Sequence, residues 1–346
     1  MNDWLNNLNY TGRGSTGLWL ILKALNKPHT SVLLPANICE TVPMAVLAAD
    51  MNVCFYDVDP LHGNADLKHI QSAKNPDTTV LVAVHNFGRP LEIPVIADWA
   101  KRKNIFLIED VCNALMAHYR QDPLGSFGDA AIFSFGYSKI IEVETGGAFI
   151  VKDQQLKKEA LKLLDQQPSY CQELKLKYQS FQDSLTKFRE TSTSVGPGTS
   201  VNMFKFFADS LLYKIPQTLI PLIKEEIRTL NSNLERRKDF ALRYRSRIQS
   251  ASIQHCPAVP GEIFWRFTAL AKSSSIRNSL IKKIRNNNLL VSAWYPPINH
   301  YFLEDQKADS FQGAFDFGQR VFNLFVDKRV NLETVDRTIG LVNSIE

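Results

Sequence analysis

In the stretch FSFGYSKIIEVETGGAFIV, residues 133–151, a single lysine, Lys139, stands among Phe133, Phe135, Ile140 and Ile141. Ammonium groups seldom sit among such neighbours without a partner. Two readings follow from the residues alone. Either Lys139 ends a strand and carries its charge out to water, or it is an amine whose proton is easily lost, so that it can form a Schiff base. This stretch by itself leaves both open.

Three other groups bear on the choice. The turn GRGSTG (12–17) leads into a helical pattern, and its glycines, Ser15 and Thr16 would present free N–H groups and hydroxyls suited to a phosphate. The sequence IEDVCNA places Asp110 and then Asn113 after an apolar run, where a carboxylate either holds a cationic ligand group or caps a helix. Ser134 precedes Lys139 in the next apolar run, and Gly146 and Gly147 allow a tight turn after it. A phosphate cradle, a carboxylate, a second hydroxyl and an amine are the set that pyridoxal 5'-phosphate needs: an anchored phosphate, a protonated ring nitrogen and an amine for its aldehyde.

The elements that must position these groups are legible as period. Short β-rich runs occur at 31–36, 52–58, 78–84, 105–110, 130–135 and 147–152, with helical patterns at 16–25, 40–50 and 93–103. Near-continuous apolar strands separated by amphipathic helices predict a mostly parallel α/β sheet covered on both faces. Ligands of such sheets bind beyond the carboxyl ends of the strands, where Asp110 and Ser134 fall. The chain is then polar and helical from 153 to about 190, with a breaker at 191–200. The aromatic-rich segment 201–224 reads as core or subunit interface. Apolar residues from Ile223 to Ile248 keep helical spacing and predict one long helix over 222–248, on which Arg236, Arg237, Lys238, Arg243, Arg245 and Arg247 read as a solvated face. Short strands and helices after it predict a smaller α+β domain. The expected division is 1–222 for a large α/β/α domain and 223–346 for the small one.

Composition narrows the function. The 346 residues are 45% hydrophobic and 22% charged, with a formal net charge of +5 from 40 basic and 35 acidic residues, too mild a balance for a nucleic-acid-binding stripe. Five dispersed cysteines, with no CxxC pair and no histidine at metal spacing, fit free thiols in a reducing compartment. Neither a signal peptide nor a bilayer-length apolar run is legible, so a cytoplasmic protein without a membrane partner is expected.

The chain resembles the DegT/StrS-like aminotransferases, pyridoxal phosphate enzymes of fold type I. The resemblance runs through LLPANICETVPMAVLAADMNVCFYDVDP, VAVHNFGRPLEIPVIADWAKRKNIFLIEDVCNA and, most specifically, GSFGDAAIFSFGYSKIIEVETGGAFIV; WYPPI (294–298) and the final helical stretch match more loosely. It implies a homodimer that moves an amino group, with glutamate as the expected donor, to a small-molecule keto sugar carried by a nucleotide or to a related carbonyl compound. Lys139 would carry the cofactor and shuttle the proton, and Asp110 would pair with the ring nitrogen. Asn113 would approach the ring oxygen, Ser15, Thr16 and Ser134 would bind the phosphate, and Cys39 would stand where an aromatic usually stacks on the ring. For His85, packing and a place in the site are equal readings.

Three departures accompany the resemblance: a thiol at the stacking position, few residues ahead of the phosphate turn, and no legible Gly-Phe-Asn-Tyr-Arg-type motif in 190–210. They predict an acceptor pocket that is more open than usual, or one whose wall is rebuilt by 201–224. A lyase or dehydratase on the same scaffold, and a cofactor-binding protein without turnover, are the alternatives. The family's dehydrating relative lacks the lysine, which sets Lys139 against the former.

Overall fold

A computed structural model describes residues 7–191, 197–303 and 310–345. Its large sheet comprises β1 (Asn9–Thr11), β2 (Ser31–Pro35), β3 (Asn52–Tyr56), β4 (Thr78–Val84), β5 (Phe106–Asp110), β8 (Ala130–Ser134) and β9 (Gly147–Val151), in the order β1-β9-β8-β5-β4-β2-β3. A small hairpin, β6 (His118–Tyr119) and β7 (Asp122–Pro123), interrupts the crossover between β5 and β8. Strands β2, β3, β4, β5 and β8 pair in parallel, while β9 and β1 close one edge antiparallel. The parallel strands read as unbroken apolar runs because both faces are covered: SVLLP of β2 is buried throughout.

The covering helices include α1 (Gly14–Leu25), α2 (Thr41–Ala48), α3 (Leu67–Ala73), α4 (Ile93–Arg102) and α5 (Gln154–Asp165). Helix α1 is buried from Gly14 through Leu22 and ends at Asn26 in the left-handed conformation that Asn tolerates at a helix stop. Strand β1 was not legible beforehand, since NYT has no apolar run; its pairing with Gly147–Phe149 creates it.

Helices α6 (Gln172–Thr191), α7 (Pro197–Phe207), α8 (Leu219–Arg228) and α9 (Leu230–Arg247) follow. The single helix expected over 222–248 is two, α8 and α9, broken at Thr229 (φ −96°, ψ 8°). Its hydroxyl and its N–H both turn back to the Glu225 carbonyl, the local competition that Thr offers a helix. A one-residue break leaves the apolar spacing intact, so periodicity does not register it.

The second sheet is antiparallel: β10 (Ile253–His255), β11 (Phe267–Ala271), β13 (Val321–Leu324) and β12 (Val291–Ser292), in that order. With α9, α10 (Ser274–Asn286) and α12 (Leu332–Asn343) it encloses a separate core around Tyr244, Phe267, Phe322 and Val335, while α11 (Gln312–Arg320) turns Ala314 and Phe317 into the large core. Ile223 and Leu230 still pack into the large core, and Ala241 into the second, so the changeover of cores lies within α9. No helix among the described residues is long and apolar enough to cross a membrane.

Candidate active site

A cavity of about 430 Å³ opens at the carboxyl edge of the large sheet, within the range of small-molecule sites. Lys139 reaches it from the loop 135–146 between β8 and β9. That loop is fixed at both ends, since Phe135 N–H donates to Gly146 O at 2.9 Å and Val143 N–H to Phe135 O at 2.8 Å. Ile140 and Ile141 are buried beneath it. Ser138, next to the lysine, is held at φ 64°, a conformation costly for a residue with a side chain. Residues far along the chain hold it there: the Trp265 indole N–H donates to Ser138 O at 2.5 Å, Arg266 bonds the Ser138 hydroxyl, and Asn233 donates to Ile140 O at 2.9 Å.

Within the cavity the Lys139 Nζ donates to Asn113 Oδ1 at 2.8 Å, and Asn113 Nδ2 donates to the Tyr295 hydroxyl at 3.0 Å. Asp110, at the end of β5, also faces the cavity, and its Oδ1 accepts the Cys112 N–H at 2.9 Å. That bond closes an Asx turn; no helix begins at Asp110, so capping is not its role.

Lys139 is not the easily deprotonated amine expected from its apolar neighbours. Burial pulls its pKa down, but Tyr295, Cys112, Cys39 and Asp110 together leave it above the ordinary lysine value. Burial in turn pushes Tyr295, Cys39 and Cys112 up.

The phosphate side is built on the first turn of α1. Gly14 and Ser15 line the cavity there with the N–H groups that a helix start leaves unbonded. A Cβ on Gly14 would stand 2.9 Å from Cys112 Sγ and from Phe133 O, so only glycine lets this turn approach β8. Ser134 lines the cavity beside it. Thr16 does not join them. Its side chain is fully buried, donating to Leu211 O at 2.5 Å and accepting the Arg13 N–H at 3.1 Å, because at the third helical position it folds back to cap the helix start. The phosphate expectation for Thr16 is corrected accordingly.

Cys39 lines the cavity with its Sγ 3.3 Å from the Thr41 hydroxyl. His85 is fully buried: its Nδ1 accepts Leu91 N–H at 3.1 Å, which leaves Nε2–H to donate to Glu109 at 3.2 Å. Its place is packing, and Glu109 also takes the N–H groups of Gly125, Phe127 and Gly128.

Several residues were not foreseen. Arg13 stood in the open within GRGSTG, and lines the cavity with its guanidinium 4.0 Å over the Tyr178 ring. The distant wall is not the segment 201–224. It is α6, which presents Lys175, Tyr178, Gln179 and Gln182 on one face at helical spacing; Ser210 and Tyr213 are the only parts of 201–224 among the lining residues. Part of 190–210, in which no cross-subunit motif is legible, lies outside the described residues. Arg237 belongs to no solvated face: it is buried, bonds Asn233, Trp265 O and Phe264 O, and approaches Lys139 O at 3.5 Å. Nothing in a run of basic residues distinguishes the one that turns inward.

Comparison with known proteins bears on the family and the fold. The model of the DegT/DnrJ/EryC1/StrS aminotransferase family matches residues 10–343. A dTDP-4-dehydro-2,3,6-trideoxy-D-glucose 4-aminotransferase of Saccharopolyspora spinosa is 31% identical over 155 residues, 44% of this chain and 40% of that enzyme. The spore coat polysaccharide biosynthesis protein SpsC of Bacillus subtilis is 24% identical over 343 residues, 96% of this chain and 83% of its own. In fold the chain is similar to the aminotransferase TlmJ of Streptoalloteichus hindustanus, with a TM-score of 0.77 at 19% identity over 98% of this chain and 85% of the other.

Proposed function

The chain belongs to the DegT/DnrJ/EryC1/StrS aminotransferase family, and from that premise we propose that it transfers an amino group, with glutamate as donor, to a nucleotide-linked keto sugar. The observation that carries the reading is the convergence of Lys139, Asn113 and Asp110 on one cavity whose other end is the start of α1. A phosphate at a helix N-terminus and an amine beside a carboxylate fit pyridoxal 5'-phosphate. When bound, that cofactor supplies an aldehyde for amines and a ring that draws electrons from the substrate carbon.

The chain's residues supply the rest. Gly14, Ser15 and Ser134 would hold the phosphate, and the Asp110 carboxylate would hold the proton on the ring nitrogen. Lys139 Nζ would carry the cofactor at rest and move the proton between substrate carbon and cofactor once displaced. Asn113 orients that amine, and its neighbour Tyr295, already bonded to it, limits the swing of the lysine. Cys39 would cover the ring with less area than an aromatic offers. For the acceptor, Lys175, Gln179 and Gln182 on α6 present donors to the hydroxyls and phosphates of a nucleotide sugar.

We further propose a cytoplasmic homodimer, the arrangement the family resemblance implies. Phe206, 68% exposed on α7, is the kind of surface aromatic that a partner subunit would cover. Incubating the cofactor-loaded protein with glutamate tests the reaction: an aminotransferase releases 2-oxoglutarate in an amount equal to bound cofactor, and continuously once a keto sugar accepts the amino group. A loaded protein that releases none is a binder, not a transferase.

A further inference from the structure

We propose that Arg13 is an oxyanion receptor of this cavity, carried on the same chain as Lys139, which takes a phosphate or carboxylate of the ligand beside the start of α1. The inference rests on the reading of the cavity as the cofactor and substrate site, and adds to it a residue no family expectation supplied.

Arg13 is aimed by its backbone. Its N–H donates to the Thr16 hydroxyl at 3.1 Å, its carbonyl accepts the Thr11 hydroxyl at 2.7 Å and the Gly17 N–H at 3.2 Å, and it bridges to Gly146. The flanking glycines are required on both sides. A Cβ on Gly12 would overlap the Tyr213 ring, and one on Gly14 would press on Cys112 and Phe133. Tyr213 is itself tied down, its hydroxyl 2.7 Å from that of Thr145, which donates to Gly12 O at 2.7 Å.

The guanidinium lies with Tyr178 over one face, and the Tyr178 and Tyr213 phenols and the Cys39 thiol are the groups that act on it. Stacking covers the face of a guanidinium and leaves its N–H edge for an acceptor in the plane. Of the other enclosed arginines, Arg237 and Arg266 spend their N–H groups on carbonyls and hydroxyls of the chain, while Arg89 and Arg329 have carboxylates, Glu262 at 3.3 Å and Glu142. Among the described residues no carboxylate is paired with Arg13. A largely enclosed cation without an anion is costly until an anion arrives. The groups facing the cavity give that anion a place. Lys139 is turned to Asn113 and Asp110, and Lys175 sits 3.7 Å from Glu144. Glu40, Asp110 and Glu144 are the carboxylates on the cavity wall, and none of them makes an ion pair with Arg13.

Three titrations test this, each on wild type, Arg13→Met and Arg13→Gln, with melting curves confirming the fold. Inorganic phosphate and pyridoxal 5'-phosphate are titrated into cofactor-free protein, dTDP into loaded protein, and the glutamate KM is measured alongside. A bidentate charged contact predicts a loss of about tenfold or more in at least one of them. Loss of phosphate and cofactor affinity together makes the cofactor phosphate the occupant; loss of dTDP affinity alone, a substrate phosphate; a raised glutamate KM alone, the donor carboxylate. All of these unchanged in a folded variant, Arg13→Gln serving where Arg13→Met does not fold, overturns the proposal. If wild type fails to transaminate while phosphate binding still depends on Arg13, the proposed reaction falls and this inference stands.

Discussion

The Lys139 Nζ lies 2.8 Å from Asn113 Oδ1, across 26 residues that include one strand of the large sheet, β8. A second bond, from Asn113 Nδ2 to the Tyr295 hydroxyl at 3.0 Å, fixes which end of the amide meets the lysine. The segment after β5, the β8–β9 loop and the segment after β12 thus meet at one amine. Asn113→Ala removes both contacts and leaves the lysine free to swing. Turnover is expected to fall about tenfold, roughly 1.4 kcal/mol of transition-state stabilisation, with cofactor still bound. Unchanged turnover would make Asn113 a packing residue.

Asp110 faces the cavity with a short side chain anchored by its own turn. In the proposed site it keeps the ring nitrogen protonated, an electrostatic role that matters most in the transition state. Asp110→Asn keeps the shape and the turn and removes the charge, so kcat should drop by about 10²–10³-fold. Steady-state kinetics with glutamate read this directly, and a loss under about threefold would assign Asp110 to local structure.

Ser15 and Thr16 are adjacent in sequence and opposed in role. Thr16→Val removes a helix-cap bond and is expected to cost about 1 kcal/mol of stability while cofactor affinity holds. Ser15→Ala should do the reverse, weakening cofactor binding with little change in melting temperature. Denaturation and cofactor titration of both variants would expose a swapped assignment.

The elevated pKa of Lys139 in the cofactor-free protein has a kinetic consequence. Burial lowers it, Tyr295, Cys112, Cys39 and Asp110 raise it, and the net lies above the ordinary lysine value. Only the free amine attacks an aldehyde, so attachment of pyridoxal 5'-phosphate should quicken about tenfold per pH unit from pH 7 to 9, without levelling. The stability counterpart has the same sign. The charged lysine stabilises the fold below its unfolded pKa, and that contribution is lost as pH rises through the higher folded one. A plateau in attachment rate near pH 7.5 would mean a lysine with a lowered pKa.

What was legible in the sequence was what repeats or stands at an end. The buried parallel strands announced themselves as apolar runs, and Asp110, Ser134 and Lys139 stood at their ends or in the loops beyond. What was hidden depends on distant chain. Strand β1 exists through β9; Arg237 turns inward toward backbone carbonyls about 27 residues away or farther. Thr16 was misjudged because a hydroxyl in a phosphate turn and one that caps the same turn carry the same letter. Arg13 was in plain view, but its meaning depends on Tyr178 and Tyr213, which only folding brings to it.

The central claim is that Lys139 carries the chemistry, and one measurement addresses it most directly. Protein loaded with pyridoxal 5'-phosphate is reduced with borohydride, digested and mapped by mass spectrometry. The cofactor mass should appear on the peptide containing Lys139, and Lys139→Ala should bind cofactor without fixing it and without releasing 2-oxoglutarate from glutamate. Fixation instead on Lys175, the other lysine of the cavity wall, or transamination by Lys139→Ala, would contradict the account.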